Sequence, residues 1–138
     1  MNAGAFIDSG AFIAYLVRAD RLHAEVVDLF RGPNPAWFTS TLVVSETYSW
    51  FLHRHGEDAA RLFRSFLDEL AGLDILDGDA AHRRQVWRML DGLRGRSLTF
   101  VDASSLVWIR TKRISTVWGI DHHLGLEGAT VIPGPPTS

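Results

Sequence analysis

The chain has 138 residues, of which 46% are hydrophobic and 22% are charged, and this composition indicates one globular domain rather than a disordered or fibrous protein. The sequence contains no cysteine, which excludes a disulfide scaffold, a thiolate nucleophile and a cysteine-ligated metal. The net charge of −2 provides no overall basic field for nucleic acid. Because we find no signal-like N-terminus and no apolar run of about 18 residues, we expect a cytoplasmic protein without membrane attachment.

Hydrophobic periodicity and turn residues predict strands that alternate with helices along the chain. The predicted strands cover residues 5–7, 37–39, 73–76, 116–118 and 130–132. The predicted helices cover about 11–16, 22–31, 41–55, 57–71, 80–91 and 100–115, and a Pro-rich tail follows at 133–138. Short apolar strands separated by helices indicate a mostly parallel sheet with helices on both faces. The predicted class is therefore α/β, in a single domain over 1–138.

Two acidic residues follow predicted strands. Asp8 comes directly after the first strand, and Asp121 lies shortly after Trp118. Ligands of parallel sheets bind beyond the carboxyl ends of the strands. We therefore expect both carboxylates at the binding crevice.

Two further acids fall on apolar faces of predicted helices. Glu46 lies between Leu42 and Trp50 on a helical wheel, and Asp102 precedes Leu106 by one helical turn. Burying an ionised carboxylate costs several kcal/mol, so such a group is neutral, paired with a cation or bound to a metal.

Simpler explanations exist for three of these acids. Asp8 can cap the helix that follows it, Asp102 can form a capping box with Thr99, and Asp121 can be a turn residue. Glu46 has no such explanation. As a set, the four carboxylates match one or two hard cations such as Mg²⁺ or Mn²⁺, and such a site hydrolyses a phosphodiester with metal-activated water.

Four segments together resemble a known family. They are Ala5–Ser9 (AFIDS), Thr39–Glu46 (TSTLVVSE), Phe100–Ser104 (FVDAS) and Val117–Leu124 (VWGIDHHL). In order and spacing these segments are similar to the acidic motifs of PIN-domain ribonucleases, and the compact size resembles the VapC type of bacterial toxin. The likeness extends over nearly the whole chain.

This resemblance implies a PIN-like three-layer α/β/α sandwich and RNA cleavage that depends on Mg²⁺ or Mn²⁺. It assigns catalytic roles to Asp8, Glu46, Asp102 and Asp121. Asp8 and Asp102 would bind the metal directly, whereas Glu46 and Asp121 would bind it directly or through water. The partners implied are an RNA substrate and a cognate antitoxin protein, and we expect a homodimer.

The sequence departs from the family pattern at two positions near the last acid. Gly119 stands where a hydroxyl residue is usual, and Leu124 stands where Phe is usual. The first change removes a hydrogen bond that would support Asp121. Ser9 and Ser104, together with Ser105, are the candidate hydroxyls that hydrogen-bond to the acids.

Other polar and aromatic residues give weaker indications. Arg110 and Arg113, on the helix of Asp102, can reach RNA phosphates. Trp37, Trp50 and Phe51 are expected to be exposed and to contact the antitoxin. The paired histidines at 53/55 and 122/123 are expected to be solvated, because their spacings do not converge on one helix face.

Two alternative functions remain open from the sequence. The first is a catalytically inert PIN-like module that only binds other proteins. The second is phosphoaspartyl chemistry at Asp8, as in phosphatases or receiver domains, although Gly10 stands where a phosphatase of this type has its second Asp.

Overall fold

The computed structural model describes residues 2–33 and 36–135. The end of the predicted Pro-rich tail, residues 136–138, lies outside this range. None of the helices in the described ranges is long and apolar enough to cross a membrane.

Within the described ranges the structure has five strands and six α-helices, and two helices follow each of the first three strands. The strands are β1 (Asn2–Ile7), β2 (Trp37–Ser40), β3 (Asp74–Leu76), β4 (Ile114–Gly119) and β5 (Thr130–Pro133). The helices are α1 (Ser9–Leu16), α2 (His23–Arg31), α3 (Thr41–His55), α4 (Glu57–Glu69), α5 (Ala80–Gly92) and α6 (Phe100–Thr111). A short 3₁₀ helix, His122–Gly125, follows β4.

The strands form one sheet in the order β3-β2-β1-β4-β5, and every neighbouring pair is parallel. The central strand β1 is buried on both faces, since Ala5, Phe6 and Ile7 are at most 1% exposed although successive side chains point in opposite directions. Helices therefore cover both sides of the sheet. This arrangement confirms the predicted α/β class.

The aromatic residues near β2 belong to the core. Trp37 is buried and lies 5.8 Å from Phe30 and 5.7 Å from Trp118, measured between ring centroids. Phe51 is also buried, and Trp50 is half-buried. The expectation of exposure is therefore wrong for Trp37 and Phe51, because β2 lies next to the central strand and Phe51 is on the inner face of α3. Trp50 keeps part of its surface exposed.

Helix α6 is shorter than the sequence predicts. It ends at Thr111 instead of near Ser115, because Arg113 has a φ of 55°, which ends the helical conformation. Strand β4 begins directly afterwards at Ile114, two residues earlier than predicted. The connection from α6 to β4 is therefore tight, and it places the end of α6 at the amino edge of the sheet.

Candidate active site

Asp8 lies at the carboxyl end of the central strand. Its backbone N–H donates a 2.9 Å hydrogen bond to the carbonyl oxygen of Trp118, which holds it beside the end of β4. The side chain is only 9% exposed. Although Asp8 occupies the N-cap position of α1, its carboxylate makes no capping hydrogen bond. Helix capping therefore does not explain this residue.

The electrostatic environment of Asp8 includes the other three acids. Burial raises the pKa of Asp8 from 3.8 to about 7, and the backbone N–H of Ser9 opposes this shift. The negative charges of Glu46, Asp102 and Asp121 raise the pKa further. The fold thus brings together four carboxylates from four separate parts of the chain.

Asp102 has two roles in the structure. It forms a capping box with Thr99, in which the Thr99 backbone N–H donates to Asp102 Oδ2 at 3.2 Å and the Asp102 backbone N–H donates to Thr99 Oγ1 at 3.1 Å. Asp102 is half-buried, and its charge acts on Asp8. The cap and the acidic cluster are therefore compatible, and the cap fixes the carboxylate at the first turn of α6.

Glu46 is exposed, so the expectation that it lies on a buried stripe is wrong. The inner face of α3 consists of Val43, Thr47 and Phe51 instead. The buried face of α3 is rotated by one residue position from the predicted face. Glu46 therefore lies outside the buried face, on the exposed side of the helix. The carboxylate still contributes to the raised pKa of Asp8.

Asp121 precedes the 3₁₀ helix and is held by the histidine that follows. Its Oδ1 accepts a 3.0 Å hydrogen bond from the backbone N–H of His123. The same oxygen lies 3.0 Å from Nδ1 of the His123 ring. Ligand atoms of Asp121, His122 and His123 all lie within 4.8 Å of one another. The expectation that the adjacent histidines diverge is therefore wrong, since the segment is not the α-helix on which it was based. His122 is exposed, as expected, and His123 is half-buried.

Gly119 is buried at the end of β4, directly against Asp8. A Cβ at this position would come 3.1 Å from the Cβ of Asp8. Any side chain at position 119 would therefore be in tight contact with Asp8. Leu124 is 1% exposed, so the second departure from the family pattern is a change in the core.

The three candidate serines differ in their surroundings. Ser9 is half-buried in the first turn of α1, next to Asp8. Ser104, which was expected beside the acids, instead shares a 2.7 Å hydrogen bond with His82 Nε2. Ser105 lies one turn after Asp102 and is buried, and its hydroxyl has no hydrogen-bond partner among the described residues.

Arg110 and Arg113 lie away from the acids. Helix α6 begins at the carboxyl edge of the sheet and ends at the amino edge, so Arg110 is about 12 Å along the helix axis from Asp102. The guanidinium of Arg110 also forms an ion pair with Glu127. The structure therefore does not place these two arginines beside the acids, and their contact with RNA phosphates elsewhere on the surface stays a prediction.

Sequence reasoning missed His82. Its side chain is 7% exposed and contacts α6, and burial lowers its pKa. The sequence does contain a signal, because His82 precedes Val86 by four residues and Met89 by seven on one face of α5.

The chemistry of the acidic cluster fits a hard divalent cation. Among the described residues, no Lys or Arg forms an ion pair with Asp8, Glu46, Asp102 or Asp121. Four carboxylates without a Lys or Arg partner match the oxygen ligands that Mg²⁺ and Mn²⁺ prefer, and the histidine beside Asp121 can also be a ligand.

Comparison with known proteins identifies the family. A model of the PIN domain matches residues 5–119, which is most of the chain. The chain therefore belongs to the PIN domain family, as its motifs predict. A comparison with curated proteins gives no significant match.

Solved structures similar to this chain include VapC toxins. Mycobacterium tuberculosis VapC20, described as a toxin that cleaves the sarcin-ricin loop, has 25% sequence identity and a TM-score of 0.83, with 91% of this chain and 96% of that chain covered. A toxin–antitoxin complex from Klebsiella pneumoniae has 16% identity and a TM-score of 0.63, with 93% and 95% covered. VapBC2 from Rickettsia felis, bound to promoter DNA, has 9% identity and a TM-score of 0.63, with 95% and 98% covered.

Proposed function

We propose that this protein is a metal-dependent endoribonuclease and the toxin of a toxin–antitoxin pair. The observation that carries the proposal is the convergence of four carboxylates at one edge of the sheet, where three of them raise the pKa of the buried fourth, Asp8. A protein that only binds a partner has no need to keep such a costly charge cluster. The PIN fold and the similar VapC structures support the same proposal.

Asp8 and Asp102 would hold Mg²⁺ or Mn²⁺ directly, and Glu46 and Asp121 would hold it directly or through water. When bound, such an ion lowers the pKa of a water and stabilises negative charge on a phosphodiester. Two of the carboxylates are oriented by hydrogen bonds before any cation binds. The backbone N–H of Thr99 donates to Asp102, and the backbone N–H of His123 donates to Asp121. Because the pKa of Asp8 in the metal-free protein is about 7, cation binding would be coupled to release of the Asp8 proton and would strengthen as pH rises toward 7.

The similar structures support a proposal for the substrate and the partner. VapC20 is described as cleaving the sarcin-ricin loop, so we propose a structured RNA as the substrate class. Several of the similar structures are toxin–antitoxin complexes, so we propose a cognate antitoxin as the partner. A homodimer remains part of this proposal.

RNA cleavage by the purified protein tests this function. With Mg²⁺ or Mn²⁺ the wild type should cut total cellular RNA into discrete fragments, and EDTA should abolish the cleavage. Asp8→Asn and Asp102→Asn should reduce cleavage about 100-fold or more, since each removes a charge from the site. Asp91→Asn, an exposed acid near the end of α5, is the control and should cleave like the wild type. Equal cleavage by all four proteins would contradict the proposal.

A further inference from the structure

A cavity of about 290 Å³ lies at the carboxyl ends of β2 and β3, which is the edge of the sheet that carries the acidic cluster. Its walls include Ser40, Leu76, Asp77, Arg83, Phe100 and Trp108. The cavity and the cluster share two helices, because α3 begins at the cavity and carries Glu46, while α6 begins there and carries Asp102. The cavity and the acids therefore lie at the same edge of the sheet, although none of the four acids lines the cavity.

The inner wall of the cavity is rigid and polar. His82 and Ser104 line it, both are buried, and they share a 2.7 Å hydrogen bond. The His82 ring stacks on Trp108 with a centroid distance of 4.0 Å and an interplanar angle of 16°. On another side, Gly78 lies so close that a Cβ would come 2.5 Å from the His82 ring. The imidazole is thus fixed between two neighbours.

The rim of the cavity offers a carboxylate and a guanidinium. Asp77 and Arg83 are both exposed, and within the described ranges neither forms an ion pair. Arg83 lies in the first turns of α5, which begins at the same edge of the sheet as the acids. The lining of the cavity therefore includes a hydrogen-bond acceptor and a planar donor.

Two aromatic residues lie at the cavity: Phe100 in its lining, and Trp87 packed against Phe100. Trp87 is 50% exposed and packs edge-to-face on Phe100 with a centroid distance of 5.3 Å. Exposed aromatic rings beside arginines are typical of surfaces that bind unpaired bases.

We propose that this cavity binds one unpaired base of the RNA substrate, and that the base carries an exocyclic amino group. The inference rests on the proposed ribonuclease function. The volume is at the lower end for ligand pockets, which fits a single base rather than a longer segment. The Asp77 carboxylate accepts a hydrogen bond from the amino group of adenine, cytosine or guanine, and uracil has no such group.

Arg83 contributes a second interaction. Its guanidinium donates to base acceptors or to the phosphate of the same nucleotide. A free phosphate alone is a poor occupant, because the carboxylates of Asp77 and Asp79 line the same cavity and repel it. The cavity therefore selects a base by its hydrogen-bonding edge.

Titration with mononucleotides in EDTA tests the proposal without relying on cleavage. The probes are AMP, CMP, GMP and UMP, with ribose 5-phosphate as the probe for phosphate binding alone, and the signal is the indole N–H resonance of Trp108. At least one of the three amino-bearing nucleotides should bind saturably and about fivefold or more tightly than UMP. Ribose 5-phosphate should not shift the resonance.

Three variants make the test specific. Arg83→Ala should weaken binding about tenfold, whereas the neighbouring Arg84→Ala, outside the cavity wall, should leave it unchanged. Asp77→Asn should reduce the preference over UMP. These variants change exposed side chains, so folding is not at risk.

Several results would overturn the proposal. They are the absence of saturable binding up to about 10 mM, equal binding of UMP, and equal losses in Arg83→Ala and Arg84→Ala. If the wild type cleaves RNA and any of these results is also found, base binding by the cavity would be refuted, and the proposed ribonuclease function would stand. Nucleotide binding without metal-dependent cleavage would instead refute the ribonuclease function.

Discussion

At the scale of single residues, Asp8 is the position where folding and function conflict. Its carboxyl is buried at the end of the central strand, and three other acids act on it. Burial and repulsion both favour the neutral form, so the metal-free fold is stabilised by protonation at this residue.

This conflict predicts a specific pH dependence of stability in EDTA. The folded-state pKa of Asp8 is about 7 and the unfolded value is 3.8, so the folded protein holds the proton while the unfolded chain has lost it. The free energy of unfolding contributed by Asp8 therefore falls as pH rises from about 4 to about 7 and is constant above that. The shift corresponds to a loss of about 4 kcal/mol at most.

Asp8→Asn removes the pH-dependent contribution of Asp8 to the free energy of unfolding. The stability of the variant relative to the wild type should therefore increase with pH and level off above about pH 7. Urea unfolding of both proteins at several pH values measures the difference, and the contribution of His82 cancels because both proteins contain it. A difference that does not change with pH would show that Asp8 has an ordinary pKa.

Gly119 gives a second prediction at this scale. Gly119→Ala places a Cβ 3.1 Å from that of Asp8 and should destabilise the fold by about 1–3 kcal/mol. Gly92→Ala is the control, because α5 has open space at that position and the change should stabilise by about 0.5–1 kcal/mol. Thermal melting of both variants tests the contrast, and a harmless Gly119→Ala would mean that Asp8 moves freely.

At the scale of secondary-structure elements, α6 connects the two candidate sites. Its capping box orients Asp102 at the acidic cluster, and Ser104 holds His82 in the wall of the cavity. Ser105, the next residue, has a buried hydroxyl without a partner among the described residues.

The two adjacent serines should respond differently to alanine. Ser104→Ala leaves the buried ring nitrogen of His82 unsatisfied and should cost about 1–3 kcal/mol of unfolding free energy. Ser105→Ala loses no hydrogen bond and should be neutral or slightly stabilising, since Ala favours the helix. Denaturant unfolding compares the two, and equal effects would contradict the hydrogen-bond assignment.

Much of the element order could be predicted from the sequence, because strands and helices have different periodicities and their caps are local. Thr99 forms the expected capping box, and Ser40 and Asp79 cap the helices predicted over 41–55 and 80–91. Two errors have tertiary causes. Glu46 is exposed because packing turns α3 by one position, and α6 ends early because Arg113 adopts a positive φ.

At the scale of the whole molecule, the parallel sheet gathers the acids. Asp8 and Asp121 follow neighbouring strands, and α3 and α6 begin at the same edge, so topology alone places all four carboxylates near one another. The cavity could not be predicted in this way. It depends on how α5 packs against α6 through His82. The spacing of His82 with Val86 and Met89 indicates that His82 lies on the buried face of α5, but it does not indicate the contacts with Ser104 and Trp108.

The stabilisation by Mn²⁺ tests the central claim, that carboxylates from separate elements form one metal-holding site. Unfolding of the wild type, Asp8→Asn, Asp102→Asn and Asp91→Asn is measured in EDTA and in Mn²⁺. Asn at position 102 keeps an oxygen that can accept from Thr99, so the cap is retained and the charge is lost.

At a hundredfold excess of Mn²⁺ over its dissociation constant, the wild type and Asp91→Asn should each gain about 2.7 kcal/mol of unfolding free energy, and Asp8→Asn and Asp102→Asn should lose most of that gain. A wild type that does not respond to Mn²⁺, or four proteins that respond equally, would contradict a shared metal site at these carboxylates.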